Sequence, residues 1–221
     1  MTRNIVLILV FIFSISEISA QKYYAADGNY NYEQEENKPS NDINTNFYFG
    51  INYSGAVPMS NDFKNFINSS SLYGASFDVH YLLNENYSLG GEVAYQSFSQ
   101  KFENVLIVGG DGFEKSNQFR ELMFIDFIVK GRYHINHSDR ILTYIGIGVG
   151  ASKILAEKHV SRYVYADDDT NLLLKPELGA MFRITNGLYL NANYSFNGIW
   201  GSFSSDTDLS YSKFTFGLIL K

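Results

Sequence analysis

Within each local run, Asp78, His80, Glu92, Asp126, Lys130, Arg132, Lys175, Glu177 and Arg183 are separated by even steps, and even steps put side chains on one face of a β-strand. Four carboxylates and four cations gathered on one face, with a histidine among them, have the chemistry to relay protons, to act as acid and base, or to neutralise one another. An ion taken out of water alone is prohibitive, so a balanced set predicts a paired structural network. His80 beside Asp78 reads as a satisfied member of that network rather than a catalytic base.

Other residues with chemical potential fall outside such runs. A nucleophile needs a base within hydrogen-bond reach, and two places bring His and Ser together, His137-Ser138 and His159-Val160-Ser161. Neither sits in a G-x-S-x-G or H-E-x-x-H motif. Gly109-Gly110-Asp111-Gly112 and Asp167-Asp168-Asp169 gather oxygen ligands, but their spacing matches no recognised calcium loop, and they read as solvated tips. Gly146, Gly148 and Gly150 depart from the G-x-G-x-x-G spacing and precede no helical pattern, which makes them glycines of a coiled strand rather than a nucleotide loop. No metal and no cofactor is expected.

The elements that must carry these residues are strands. Phe47, Phe49, Ile51 and Tyr53 alternate with Tyr48, Gly50, Asn52 and Ser54, a period of two with one apolar face. The same texture returns around Tyr73–Tyr81, Tyr87–Gln96, Met123–Tyr133, Tyr144–Ser152, Lys175–Arg183, Leu188–Phe196 and Phe214–Leu220. Phe124 and Ile128 break the pattern by falling on the polar side. Outward-facing Gly91 and Gly131 leave grooves in the apolar face, which lipid tails fill as readily as a neighbouring barrel does. Pro176 cannot donate to a ladder, and a bulge is expected there. Connections alternate long (residues 56–71, 99–118, 155–170 and 197–208) and short (84–86, 135–139 and 185–187). Asn186-Gly187 is a tight-turn signal. Val105–Val108 and residues 160–165 are themselves strand-prone, so two long connections are expected to rise as paired hairpins whose edges suit strand addition.

Thr2 and Arg3 precede an apolar run over residues 5–15, with Ser19 and Ala20 before Gln21, the pattern of a cleaved signal peptide over residues 1–20. Residues 21–44 are polar and aperiodic and read as a flexible periplasmic leader, leaving residues 45–221 for one domain. That domain has no run of about 20 apolar residues, so it spans a membrane only as strands closed on themselves. Charged residues make up 18% and aromatics 16%, with 17 Tyr and 18 Phe and a net charge of −6. Few charges, many aromatics and no basic stripe fit a barrel with aromatic belts and exclude a nucleic-acid partner. Tyr53, Tyr73, Tyr95 and Tyr194 fall near the outer strand ends, and Tyr81, Tyr87 and Tyr133 near the inner ends, as an aromatic girdle requires.

The fold expected is all-β, an eight-stranded antiparallel up-and-down transmembrane β-barrel with periplasmic termini. Segments such as Tyr87–Tyr95 (YSLGGEVAY), Tyr144–Ser152 (YIGIGVGAS) and Lys175–Tyr194 (KPELGAMFRITNGLYLNANY) resemble the small porin-like outer-membrane β-barrel family from about Thr45 onward. The resemblance implies location in the outer membrane of a Gram-negative envelope. Its implied partners are outer-membrane lipid, lipopolysaccharide and the outer-membrane assembly machinery. Such barrels often end on an aromatic residue, whereas this chain ends Leu218-Ile219-Leu220-Lys221.

Eight strands leave room for side chains and little else, so a closed, charge-paired lumen and a non-enzymatic role in envelope structure, adhesion or surface binding are expected. The alternatives are a transport or secretion-accessory barrel, in which the lumen conducts, and a lipid A-modifying enzyme. His159-Val160-Ser161 has the His-x-Ser spacing of lipid A deacylases, but its distance past Ala151, at ~3.3 Å per residue, lifts it above the acyl region.

Overall fold

The computed structural model describes residues 46–109, 112–137, 140–160, 163–200 and 208–221. The signal peptide and leader lie outside them. In chain order the described residues form β1 (Phe47–Pro58), a short helix α1 (Asn61–Phe66), β2 (Ser71–Leu82), β3 (Tyr87–Gly109), β4 (Gly112–His137), β5 (Ile141–Val160), β6 (Tyr163–Thr185), β7 (Leu188–Trp200) and β8 (Tyr211–Leu220). Each strand pairs antiparallel with the next and β8 returns to β1, closing an eight-stranded barrel. Closure leaves the membrane span no strand edge to present to hydrocarbon.

The period-two pattern sets which face is which. Along β1 burial alternates residue by residue, with Tyr48, Gly50, Asn52 and Ser54 inside and Phe47, Phe49, Ile51 and Tyr53 outside. Ile51, Phe127, Val129, Ile147 and Phe216 are each more than half exposed. An apolar exterior around a polar interior inverts the soluble pattern and suits a lipid surround. Among the described residues no helix is long and apolar enough to cross a membrane.

The short connections are built from their own side chains. Asn84 Oδ1 accepts from the backbone N–H groups of Asn86 and Tyr87, both at 2.9 Å. Gly187 takes φ +87° between Thr185 and Leu188, which pair across the turn, a conformation glycine adopts without steric cost.

Two of the long connections rise as the paired strands expected of them. Residues 99–118 and 155–170 are largely paired strand: β3 and β4 stay paired to Gly109↔Gly112, and β5 and β6 to Val160↔Tyr163. Over residues 163–168 both faces of β6 are exposed, so apolar alternation is lost there while backbone pairing continues. The hairpins expected around Val105–Val108 and residues 160–165 are present within this extension. Residues 56–71 hold α1, capped by Ser60, whose Oγ accepts from Phe63 N.

Pro176 differs from expectation. On the β7 side no pairing is made at Lys175 and Pro176, yet Leu174↔Gly198 and Glu177↔Ser195 keep one register. The ladder skips two positions without gaining a residue, so the feature is a gap rather than a bulge. Pairing on the other side persists at Ile147↔Pro176, which holds the strand in place.

Candidate functional site

The interior divides into levels. In the middle, β2, β3, β4, β6 and β8 bring eight ionisable groups together. Glu92 receives Lys175 Nζ at 2.6 Å, Lys130 Nζ at 2.7 Å and Lys213 Nζ at 3.4 Å. Arg132 donates through Nε to Glu177 at 2.5 Å and lies 3.5 Å from Asp78 through Nη1. Lys130 Nζ also lies 3.6 Å from Glu177. Asp78 accepts from Asn52 Nδ2 at 2.6 Å. Asp126 is served by neutral donors, Ser152 Oγ at 2.5 Å and Tyr211 OH at 3.1 Å. All of these side chains are buried.

Two inward glycines make room for this cluster. A Cβ at Gly50 would stand 2.5 Å from Asp78 Oδ1, and one at Gly146 would stand 2.9 Å from Glu177 Cγ. Either substitution would displace a carboxylate.

Of the expected network, Asp78, His80, Glu92, Asp126, Lys130, Arg132, Lys175 and Glu177 are gathered inside. Arg183 is not. It is exposed at the periplasmic rim, where Nη2 donates to Asn186 Oδ1 at 2.6 Å. Its strand parity is right, but it lies too close to the turn to reach the interior. Lys213 takes its place, so four acids still meet four cations. It sits at the start of β8, three residues above Phe216, where the alternation is hard to read from sequence. His80 is fully buried, stacked on Tyr48 at 4.9 Å with Nε2 3.6 Å from Asp78.

Above the charges an apolar cluster shares the interior with buried polar side chains, among them Ser54, Gln96 and Asn197. Phe98, Phe124, Ile128, Ile154, Leu173 and Ile199 from the strands meet Phe63 and Ile67 of the α1 segment. Phe63 lies 4.7 Å from Phe98 and 5.6 Å from Phe124 between ring centres. Arg120 holds α1 down. Its Nη1 donates to the carbonyls of Asn65 and Phe66 at 3.0 and 2.9 Å, and its guanidinium covers the rings of Phe66 and Phe102. Tyr211 joins the two levels, its ring 5.2 Å from Phe124 and its hydroxyl on Asp126. Below the charges Tyr48, Tyr144, Met181 and Ile219 form a second apolar layer, and Arg132 lies 4.4 Å over the Tyr144 ring. The parity irregularity of Phe124 and Ile128 was the sequence signal for the upper layer.

On the outside, Tyr53, Tyr73, Tyr81, Tyr87, Tyr95 and Tyr133 are exposed, and Tyr87 meets Tyr133 at 5.1 Å. Tyr194 is half-buried against Phe214, its hydroxyl 3.0 Å from Ser212 Oγ. Pairing of β2 with β3 ends at Tyr73↔Ser97 and pairing of β6 with β7 ends at Leu172↔Trp200. β3 to β6 therefore continue beyond both neighbours as a four-stranded sheet. Its β6 margin exposes Tyr163, Val164 and Tyr165 ahead of Asp167-Asp168-Asp169. Asp168 pairs with Lys153 at 3.2 Å.

The remaining candidates are dispersed. His159 Nε2 lies 3.2 Å from Glu157 Oε2 and its ring 5.9 Å from Phe119, whereas Ser161, Ser138, Gly110 and Asp111 and the His137 side chain lie outside the described residues. Among the described residues no three His, Cys, Asp or Glu side chains cluster to hold a metal.

Several solved structures are similar to this chain. The attachment invasion locus protein Ail of Yersinia pestis matches at 13% identity and TM-score 0.46, over 79% of this chain and 95% of that one. Neisserial surface protein A matches at 15% and 0.48, over 80% and 97%. Outer membrane protein W of E. coli matches at 10% and 0.44, over 80% and 97%. No curated protein matches the chain. The model of the outer membrane protein beta-barrel domain matches residues 42–221, which carry every strand of the closed barrel, and the chain accordingly belongs to that family of the bacterial outer membrane.

Proposed function

We propose that the protein is a non-enzymatic envelope component with a closed lumen, working through the sheet that β3 to β6 raise above the membrane. The observation that carries this reading is the arrangement of the interior: ions paired in the middle, with an apolar cluster above them and another below. Two apolar clusters on either side of paired ions oppose an aqueous path, which argues against the transport alternative. The projecting sheet, with aromatic side chains and acidic residues on its β6 margin, supplies the exposed surface on which adhesion or receptor binding would take place. The tyrosines of the outer face act as interface anchors, and lipid and lipopolysaccharide are the surrounding partners. Insertion would fall to the outer-membrane assembly machinery after removal of the signal peptide.

The test uses the absence of native cysteine. Val164→Cys should react on intact cells with a membrane-impermeant maleimide, and lipid A from overexpressing cells should keep its acylation pattern. Val164→Cys labelled only after the envelope is opened would overturn the orientation. Altered lipid A that reverts with His159→Ala would install the enzyme reading, which the His159–Glu157 contact favours.

A further inference from the structure

The projecting sheet has two margins, on β3 and on β6, and only one of them is blunted. On β3, pairing with β2 ends at Tyr73↔Ser97 while pairing with β4 runs on to Gly109↔Gly112. The segment before β2 covers the start of this edge: Asn68 N donates to Gln100 Oε1 at 2.7 Å and Ser69 Oγ to Ser99 O at 2.8 Å. The register then shifts between Phe102 and Val105, beside the exposed Lys101–Glu103 pair. A covering segment, a break in register and a lysine are devices that keep a strand edge from pairing.

Among the described residues β6 has none of them. Over residues 163–169 it pairs only with β5, in a register without a shift. The stretch contains no proline and no lysine, and the β7–β8 connection leaves and returns at the Trp200↔Asp208 bridge, level with Leu172. Asp169 Oδ1 closes the lower end of the edge by accepting from Thr170 N at 2.8 Å. Tyr163, Val164 and Tyr165 are more than half exposed, and both residue types favour strand pairing.

The side chains specify what can lie alongside. Val164, Ala166 and Asp168 share one face, where Lys153 meets Asp168 at 3.2 Å. Tyr163, Tyr165, Asp167 and Asp169 share the other. Opposite Asp167 and Asp169 on β5 stand Ala156 and Ile154, so neither aspartate has a cation across the strand, and Lys158 stands opposite Tyr165. From Lys153 to Thr170 the acids Glu157, Asp167, Asp168 and Asp169 outnumber the cations Lys153, Lys158 and Arg162. With Asp206 and Asp208 of the β7–β8 connection, the margin stays acidic even when His159 is charged. A second barrel in the same membrane runs its β6 in the same direction, so edge on edge would set aspartate against aspartate, which is destabilising.

We propose that the β6 edge takes up an extended segment of a partner protein by strand addition. Two cationic residues of that segment, spaced i, i+2, face Asp167 and Asp169, and two apolar residues face Tyr163 and Tyr165. The proposal rests on the reading of the projecting sheet as the binding surface and names the partner of that surface.

Fluorescence anisotropy of labelled peptides on the detergent-folded barrel tests it, independently of which way the sheet faces in the cell, the question that Val164→Cys labelling answers. The peptide KTKTVTV, written in the order of an antiparallel partner, should bind saturably. N-methylation of one set of alternate amides, those turned towards β6, should abolish binding while methylation of the other set is tolerated. ETETVTV should bind roughly ten-fold more weakly, the reach of two exposed ion pairs. Asp167→Lys combined with Asp169→Lys should reverse that preference, with heat-modifiable migration verifying the folded barrel. Absence of saturable binding, equal binding by both methylated peptides, or a charge preference that does not reverse would each overturn the proposal. A barrel dimer that KTKTVTV disperses would also overturn it, since the edge would then belong to a second copy.

Discussion

The middle and the upper parts of the lumen fill the same width by opposite means. The middle uses long charged side chains around Glu92 and Glu177, whereas the upper part uses rings and branched aliphatics, with α1 folded in to complete them. The ionic level depends on every partner being present, because one missing charge strands the others away from water. The apolar level degrades by degrees, since a lost ring leaves a cavity that neighbours or water partly fill. Tyr211 belongs to both, through its ring and its hydroxyl.

Substitutions separate the two behaviours. Glu92→Ala leaves Lys130, Lys175 and Lys213 around an empty centre and should cost about 5 kcal/mol, the upper end for a broken buried pair, read as a lower urea midpoint of the detergent-folded barrel. Phe63→Ala should cost about 3 kcal/mol, at the lower end for a buried ring because α1 sits on a connection that can settle inward. Comparable midpoints for the two would remove the distinction between the levels.

Tyr211→Phe keeps the ring and removes the donor to Asp126, with an expected loss of about 1.5 kcal/mol in the same titration. Arg183→Gln should shift the midpoint by less than about 0.5 kcal/mol, as expected for an exposed rim residue. A large loss there would return Arg183 to the network.

The strands were legible where one face meets lipid and the other the lumen. Phe47–Tyr53 is the clearest case, and Asn186-Gly187 marked the last short turn as plainly. Legibility ended where that contrast ended. Around Asp167–Asp169 the two faces no longer contrast, and only the strand-prone residues 160–165 beyond them marked the continuing ladder. The six residues of α1 carry too little periodicity to stand out, and their anchor, Arg120, is far away in sequence. The charge balance of the interior was readable from strand parity, but its membership was not. Arg183 has inward parity at a rim position, and Lys213 follows Tyr211-Ser212 at a strand start where all three are buried.

Conductance of the purified barrel in planar lipid bilayers tests the closed lumen most directly. Current should stay at the lipid baseline for the wild type and for Phe63→Ala, whose ionic level remains intact. Reproducible single-channel steps from the wild type would contradict a lumen closed by paired ions between two apolar layers.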